Sequence, residues 1–398
     1  MPAVRRALPL PESSRSRPLP SPPSVMSRNP TLDILRGALL ILMTMTHLPT
    51  KWAGVLDQPF GFISAAEGFV FLSAFLAGTI YVSQRQAGGQ SMAVRWLLKR
   101  AFHIYLLHAV LLVVAFTVVA WAAVRFNRPT VLNLLGFYFE QPNRAALSAA
   151  ALIYQPPLLD ILPMYVLFLL LTIPLMKAVQ RHGWQVVLGI SVAIWTMAQF
   201  GLRRFIFETV DSWFGWNFPY AALGSFDLLA WQLLWVLGLW FGLVGLRRTR
   251  DAVNSGSAVL NVALLLSLGL LIWRHVSGRP GFSDPAASLF WIDKWTLSPV
   301  RLLNLGALLC LLVSIRGELL QRLLPTRLFA VLGSASLWVF FAHLLSILLI
   351  LLALDGDAPA EGAAGIAVLV VGYLVLFTAA AAHRRWRAIS ADSGSPRR

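Results

Sequence analysis

Three polar side chains interrupt the first long apolar run of the chain, TLDILRGALLILMTMTHLPTKW: Asp33, Arg36 and His47. A charged group in hydrocarbon costs at least a few kcal/mol on insertion scales, so each is a functional candidate by default. Arg36 and His47 are eleven residues apart. In an α-helix that is about 1100°, three full turns and about 20° more, so both side chains leave the same face. The rise between them is roughly 16 Å, about half the hydrocarbon thickness. One helix would thus offer a cation near one side of a bilayer and a titratable imidazole nearer the other. That stripe suits a molecule threaded partway through the membrane, with an anionic headgroup at Arg36 and chemistry at His47. Asp33 and Arg36 are i,i+3 neighbours and can pair, so a plain interfacial salt bridge accounts for them too. For His47 the bland account is a hydrogen-bonded packing histidine.

The second apolar run, FGFISAAEGFVFLSAF, holds Glu67 at a depth matching His47 on the preceding helix. A carboxylate beside an imidazole raises its basicity and fixes its tautomer, which is how a general base is made. A simple buried ion pair is the alternative. The third run opens RWLLKRAFHIYLLH, where Arg95, Lys99 and Arg100 either hold phosphates or mark a cytoplasmic boundary, and His103 falls four residues after Lys99. Near residue 160 the chain reads YQPPLLDILPMYVLFLL. Three prolines around Asp160 and Tyr165 break regular helix there, which fits a site wall or an ordinary helix entry. His343, in LGSASLWVFFAHLL, is read as core, and the single cysteine, Cys310, as a packing residue. No Walker loop, metal-ligand spacing or nucleophile elbow is present.

The elements that must carry these groups follow from composition. Of 398 residues, 58% are hydrophobic and 13% charged, and the mean hydropathy is +0.70. A soluble globule of this length has too little interior for so much apolar surface. An all-α polytopic membrane protein remains. About 20 apolar residues cross a bilayer. On that measure ten spans are expected, near 31–50, 60–82, 97–124, 158–178, 184–202, 228–246, 258–274, 297–315, 328–353 and 363–382. Residues 1–29, rich in Pro, Ser and Arg, read as a disordered, uncleaved cytoplasmic tail; residues 30–383 as one membrane-embedded domain; and 384–398 as a basic cytoplasmic tail.

The net charge of +16 raises a nucleic-acid partner, but Lys and Arg fall in short groups between apolar runs, the footprint of topology signals instead. With a cytoplasmic N-terminus, 22 of them lie inside and 10 outside, leaving Arg36 within the first span. Both termini are therefore expected in the cytoplasm.

Together, LDILRGALLILMTMTHLP, GFISAAEGFVFLSAF, YQPPLLDILPMYVLFLLL, FDLLAWQLLWVLG and LGSASLWVFFAHLL resemble the OpgC family, which is related to the acyltransferase 3 superfamily. The resemblance runs from about Thr31 to the tenth span. It implies an acyltransferase of the inner, cytoplasmic membrane, similar to a family that succinylates osmoregulated periplasmic glucans. The superfamily's first-span motif of Arg, ten residues and His falls on Arg36 and His47. His47 would then be the base, with Glu67 beside it. Arg36 would line the channel of an acyl-CoA donor such as succinyl-CoA or acetyl-CoA; Asp33, Arg100, His103, Asp160 and Tyr165 are candidate substrate contacts on the reading of the residues themselves. The acceptor would be a hydroxyl of a periplasmic glycan, and no metal is called for. The chain departs from the superfamily pattern in carrying Ala74 where a Gly is usual. A secondary transporter, using intramembrane Arg, His and Glu as substrate or proton sites, is the alternative function class.

Overall fold

The computed structural model describes residues 30–254, 256–276, 290–315, 326–354 and 359–393. The N-terminal tail, 1–29, and the basic residues Arg316 and Arg322 counted for orientation lie outside the described residues. Everything regular in the described part is helical, apart from one isolated bridge between Thr50 and Ala360.

Ten helices carry the architecture: α1 (Pro30–His47), α2 (Ala65–Val114), α3 (Ile161–Gln199), α4 (Leu202–Phe214), α5 (Leu228–Val244), α6 (Ser257–Val276), α7 (Pro299–Ser314), α8 (Thr326–Ser334), α9 (Ser336–Leu354) and α10 (Gly362–Ser393). Among the described residues, six helical segments are long and apolar enough to cross a membrane. The ten expected apolar runs relate to these six through glycine. Gly89 (φ 75°) breaks α2, and Gly183 (φ 79°) breaks α3, each in the left-handed region where a Cβ is disfavoured. The Tyr81 hydroxyl donates to Gln90 Oε1 at 2.8 Å. Nine residues along a straight helix would put those side chains on opposite faces about 13 Å apart, so the chain turns back at Gly88–Gly89. One long helical run therefore contains two of the expected spans, as does α3. Helix α1 falls short on hydropathy because it carries Asp33, Arg36 and His47, and α7 is only 16 residues long. Residues 384–393, expected in the basic tail, continue α10.

Helix starts are set locally. Ser64 caps α2: its side chain accepts from the Ala66 N–H, while Glu67 accepts from the Ser64 N–H in return. Asp227 caps α5 by accepting from the Leu229 and Ala230 amides. α3 begins at Ile161, one residue after Asp160, which places that carboxylate in the preceding loop.

Packing runs along small residues, as helix contact within a membrane requires. A Cβ on Gly37 would collide with the Phe329 carbonyl, and one on Gly333 with the Asp33 carbonyl, so α1 and α8 touch backbone to backbone. Gly238 and Gly242 of α5 likewise meet Ala74 and Phe75 of α2. Trp231 and Trp235, both fully buried, fill the centre beside them. By contrast, large apolar side chains such as Phe102, Trp121 and Leu265 face outward, as lipid contact demands.

Candidate functional site

The C-terminal end of α1 opens on a cavity of about 890 Å³. His47 lines it, together with Ser64 to Ala66 at the start of α2, Asp160 ahead of α3, Arg301 near the start of α7, and the segments 57–62 and 292–295. The last segment is anchored by neighbours. The Trp195 indole donates to the Leu297 carbonyl at 3.0 Å, the Trp231 indole to the Trp295 carbonyl at 3.0 Å, and Gln199 to the Thr296 carbonyl at 2.9 Å. This wall of the cavity is therefore pinned to α3 and α5. Its lining joins aromatic faces, Phe226 and Trp295, to polar groups, Asp57, Gln58, Asp160, Asp293 and Lys294. Lys294 is only loosely paired with Asp57, at 3.7 Å.

Behind His47 runs a ladder of hydrogen bonds that decides which nitrogen carries a proton. The buried Thr44 hydroxyl donates to the Leu40 carbonyl at 2.8 Å. Its oxygen therefore accepts from His343 Nδ1, 3.0 Å away. His343 Nε2 is then a bare lone pair and accepts from His47 Nδ1–H at 3.2 Å. His47 Nε2 is left with its lone pair free, the state a general base needs. His343 is fully buried, and its ring lies 5.3 Å from that of His47.

Glu67 sits elsewhere than expected. Its Oε1 accepts from Arg301 Nε at 2.8 Å and from Arg301 Nη2, and its Oε2 accepts from the Ser64 amide at 3.0 Å and the Ser64 hydroxyl at 2.6 Å. Both members of the ion pair are fully buried. The anticipated pairing of Glu67 with His47 is thus corrected: the carboxylate is taken up by Arg301 and the helix cap, and the histidine is oriented by His343. Arg301 is absent from the site residues expected from the sequence. Its position within the apolar run PVRLLNLGALLC was the signal that it is buried.

Asp160 is buried and accepts from the Ser225 amide at 3.1 Å. Burial pushes its carboxyl up to about 6, against the opposing pull of the Ser225 bond and the nearby Lys294 charge. Five residues further on, Tyr165 forms a second cluster, separate from the cavity lining. Its ring packs edge-on against Phe69 and Trp235, and its hydroxyl lies beside Ser73 within electrostatic range of both Arg36 and Arg100. His103 lies in range of Arg100 and edge-on to Trp338, with 6.0 Å between ring centroids. The Asp33 carbonyl abuts Gly333. The expected residues thus divide: His47 and Asp160 line the cavity, while Arg36, Arg100 and Tyr165 converge deeper in the helices. Among the described residues, no group of three His, Cys, Asp or Glu side chains is placed to hold a metal ion.

A family model described as OpgC protein matches residues 28–388, nearly the whole chain. No curated protein matches the chain, and no solved structure does.

Proposed function

The chain belongs to the OpgC family, and from that premise we propose that it is a multi-pass O-acyltransferase of the inner membrane. It moves an acyl group of the succinyl or acetyl type from a cytoplasmic acyl-CoA donor to hydroxyls of a periplasmic glycan. Family membership supports a glucan-modifying acyltransferase-type activity, and the six long apolar helices fit a membrane protein. We read the broken helices α2 and α3, together with α1, α7 and the α8–α9 pair, as bringing the crossings to ten, with both termini cytoplasmic.

One observation carries the chemistry: the free Nε2 of His47, at the end of a buried hydrogen-bond ladder, on a cavity lined by aromatic and polar groups. Aromatic faces beside carboxylates and amides suit a sugar, whose C–H faces stack while its hydroxyls hydrogen-bond. A sugar hydroxyl held there can pass its proton to His47 Nε2 as it attacks the acyl carbonyl. Arg36 and Arg100, converging on Tyr165, offer fixed positive charge to the phosphate-bearing donor entering from the other side.

His47→Ala should lower coenzyme A release and glycan acylation by 10²-fold or more, in keeping with loss of a general base, while leaving insertion and thermal stability near wild type. Purified protein in liposomes, given succinyl-CoA or acetyl-CoA and periplasmic glucan, provides the measurement. A variant that acylates at the normal rate would sink the mechanism. Proton-coupled flux of glycan without coenzyme A release would favour a transporter instead.

A further inference from the structure

Arg301 has one nitrogen unaccounted for. Its Nε and Nη2 are both committed to Glu67 Oε1, and Glu67 Oε2 is held in turn by Ser64, so the guanidinium plane is fixed. Nη1 is buried and makes no hydrogen bond among the described residues, although Arg301 lines the same cavity as His47. A buried donor on a charged group left without an acceptor is costly, and in native proteins such an orphan calls for an explanation. Its surroundings favour one kind of acceptor. Arg301 is the third residue of α7, and Ser64, Ala65 and Ala66 at the start of α2 share the cavity wall, so two helix N-termini with their partial positive charge abut the space. Both Glu67 oxygens are already engaged by Arg301 and Ser64, so the matching acceptor for Nη1 is an incoming oxygen that gains negative charge.

We propose that Arg301 is the oxyanion-stabilising residue of this site, its Nη1 donating to the acyl carbonyl oxygen as that oxygen becomes negative. The assignment rests on the acyl-transfer reading above. In the step, the acceptor hydroxyl oxygen bonds to the thioester carbon, its proton goes to His47 Nε2, and the carbonyl electron pair moves onto the oxygen facing Arg301. Collapse re-forms the carbonyl and breaks the C–S bond. The sulfur leaves with the electron pair and takes the proton back from His47. Glu67 is then a positioning residue: it holds Arg301 and does not touch the reacting atoms.

Two variants test this in liposomes, on whichever of succinyl-CoA and acetyl-CoA the wild type turns over with periplasmic glucan. Arg301→Lys keeps a cation against Glu67, and so the fold, but has no second nitrogen to present. The neutral pair Glu67→Gln with Arg301→Gln removes the charge without leaving a lone buried ion. Each should melt near wild type and lose about 10²-fold in kcat, with KM for the donor changed only a few-fold, as removal of an oxyanion donor does. A purely structural ion pair predicts the opposite, wild-type kcat in any folded variant; kcat within about threefold of wild type in either one overturns the assignment. His47→Ala, run alongside, separates the two ideas: if it stays active the acyl-transfer reading fails, and if it is dead while the Arg301 variants are not, only the role of Arg301 fails.

Discussion

At the scale of single residues, the site is a set of proton positions fixed by burial. His343 is the residue through which α9 reaches His47, and its role is separable from bulk. Gln at 343 can place an acceptor oxygen near where Nε2 stands, whereas Leu fills the space without one. His343→Leu should therefore reduce kcat by 10-fold or more, and His343→Gln should recover part of that loss, with donor KM little altered in both. Equal activity of the two would mean the ladder does not orient the base. Asp160 gives a pH signature. Its folded value of about 6 exceeds the ordinary 3.8, so the fold holds its proton more tightly than the unfolded chain does. That stabilisation is full below about pH 4 and is lost as pH rises through 6. Asp160→Asn lacks it but still offers an oxygen to the Ser225 amide. Between pH 4 and 7 wild type should lose about 2–3 kcal/mol relative to the variant, at 1.36 kcal/mol per unit. Melting curves of both proteins across that range would show the difference narrowing or reversing, and parallel curves would refute it.

The elements explain how these residues meet. His47 ends α1 and His343 lies in the middle of α9, 296 residues apart. They come together because α1 and α8 pack with no side chain between them at Gly37 and Gly333. Gly333→Ala would force the Asp33 carbonyl away and tilt α8 and the following α9 off α1. The expected cost is about 1–3 kcal/mol, typical of overpacking, together with a fall in kcat larger than that of an equally destabilised variant remote from the site. Thermal melting and turnover on the same preparation would decide it. The same logic answers the departure at Ala74, whose Cβ stands 2.6 Å from where a Cβ on Gly238 would be. The facing helix carries the glycine that α2 lacks. Much of this was legible in the sequence. The 3.6-residue period put Arg36 and His47 on one face, and the S-x-x-E spacing of Ser64 and Glu67 is that of a helix cap. What periodicity along one helix does not encode is which distant helix supplies the partner. Depth along one helix therefore pairs Glu67 with His47, while nothing in the runs around His343 and Arg301 names their partners.

Across the whole molecule the charges sort into two depths. Arg36, Arg100 and Tyr165 converge inside the helices on one side, and the cavity with His47, Asp160, Lys294 and Arg301 opens on the other. The proposed donor and acceptor, arriving from opposite faces, would need this separation with His47 at their meeting point, but it assigns no direction by itself. The proposed topology, drawn from the Lys and Arg balance, does: it puts the Gly88–Gly89 hairpin and the end of α10 inside and the Trp216 region outside. Cys310 is the sole cysteine, so its replacement by Ser gives a background for single probes at exposed positions: Ala87→Cys, Trp216→Cys and Ser390→Cys. In intact cells a membrane-impermeant maleimide should label only the probe at 216. Those at 87 and 390 should react only after the inner membrane is permeabilised. The reverse pattern would turn the His47 cavity toward the cytoplasm, where no periplasmic glycan reaches it, and the proposed acceptor would have to be abandoned even if acyl transfer itself survived.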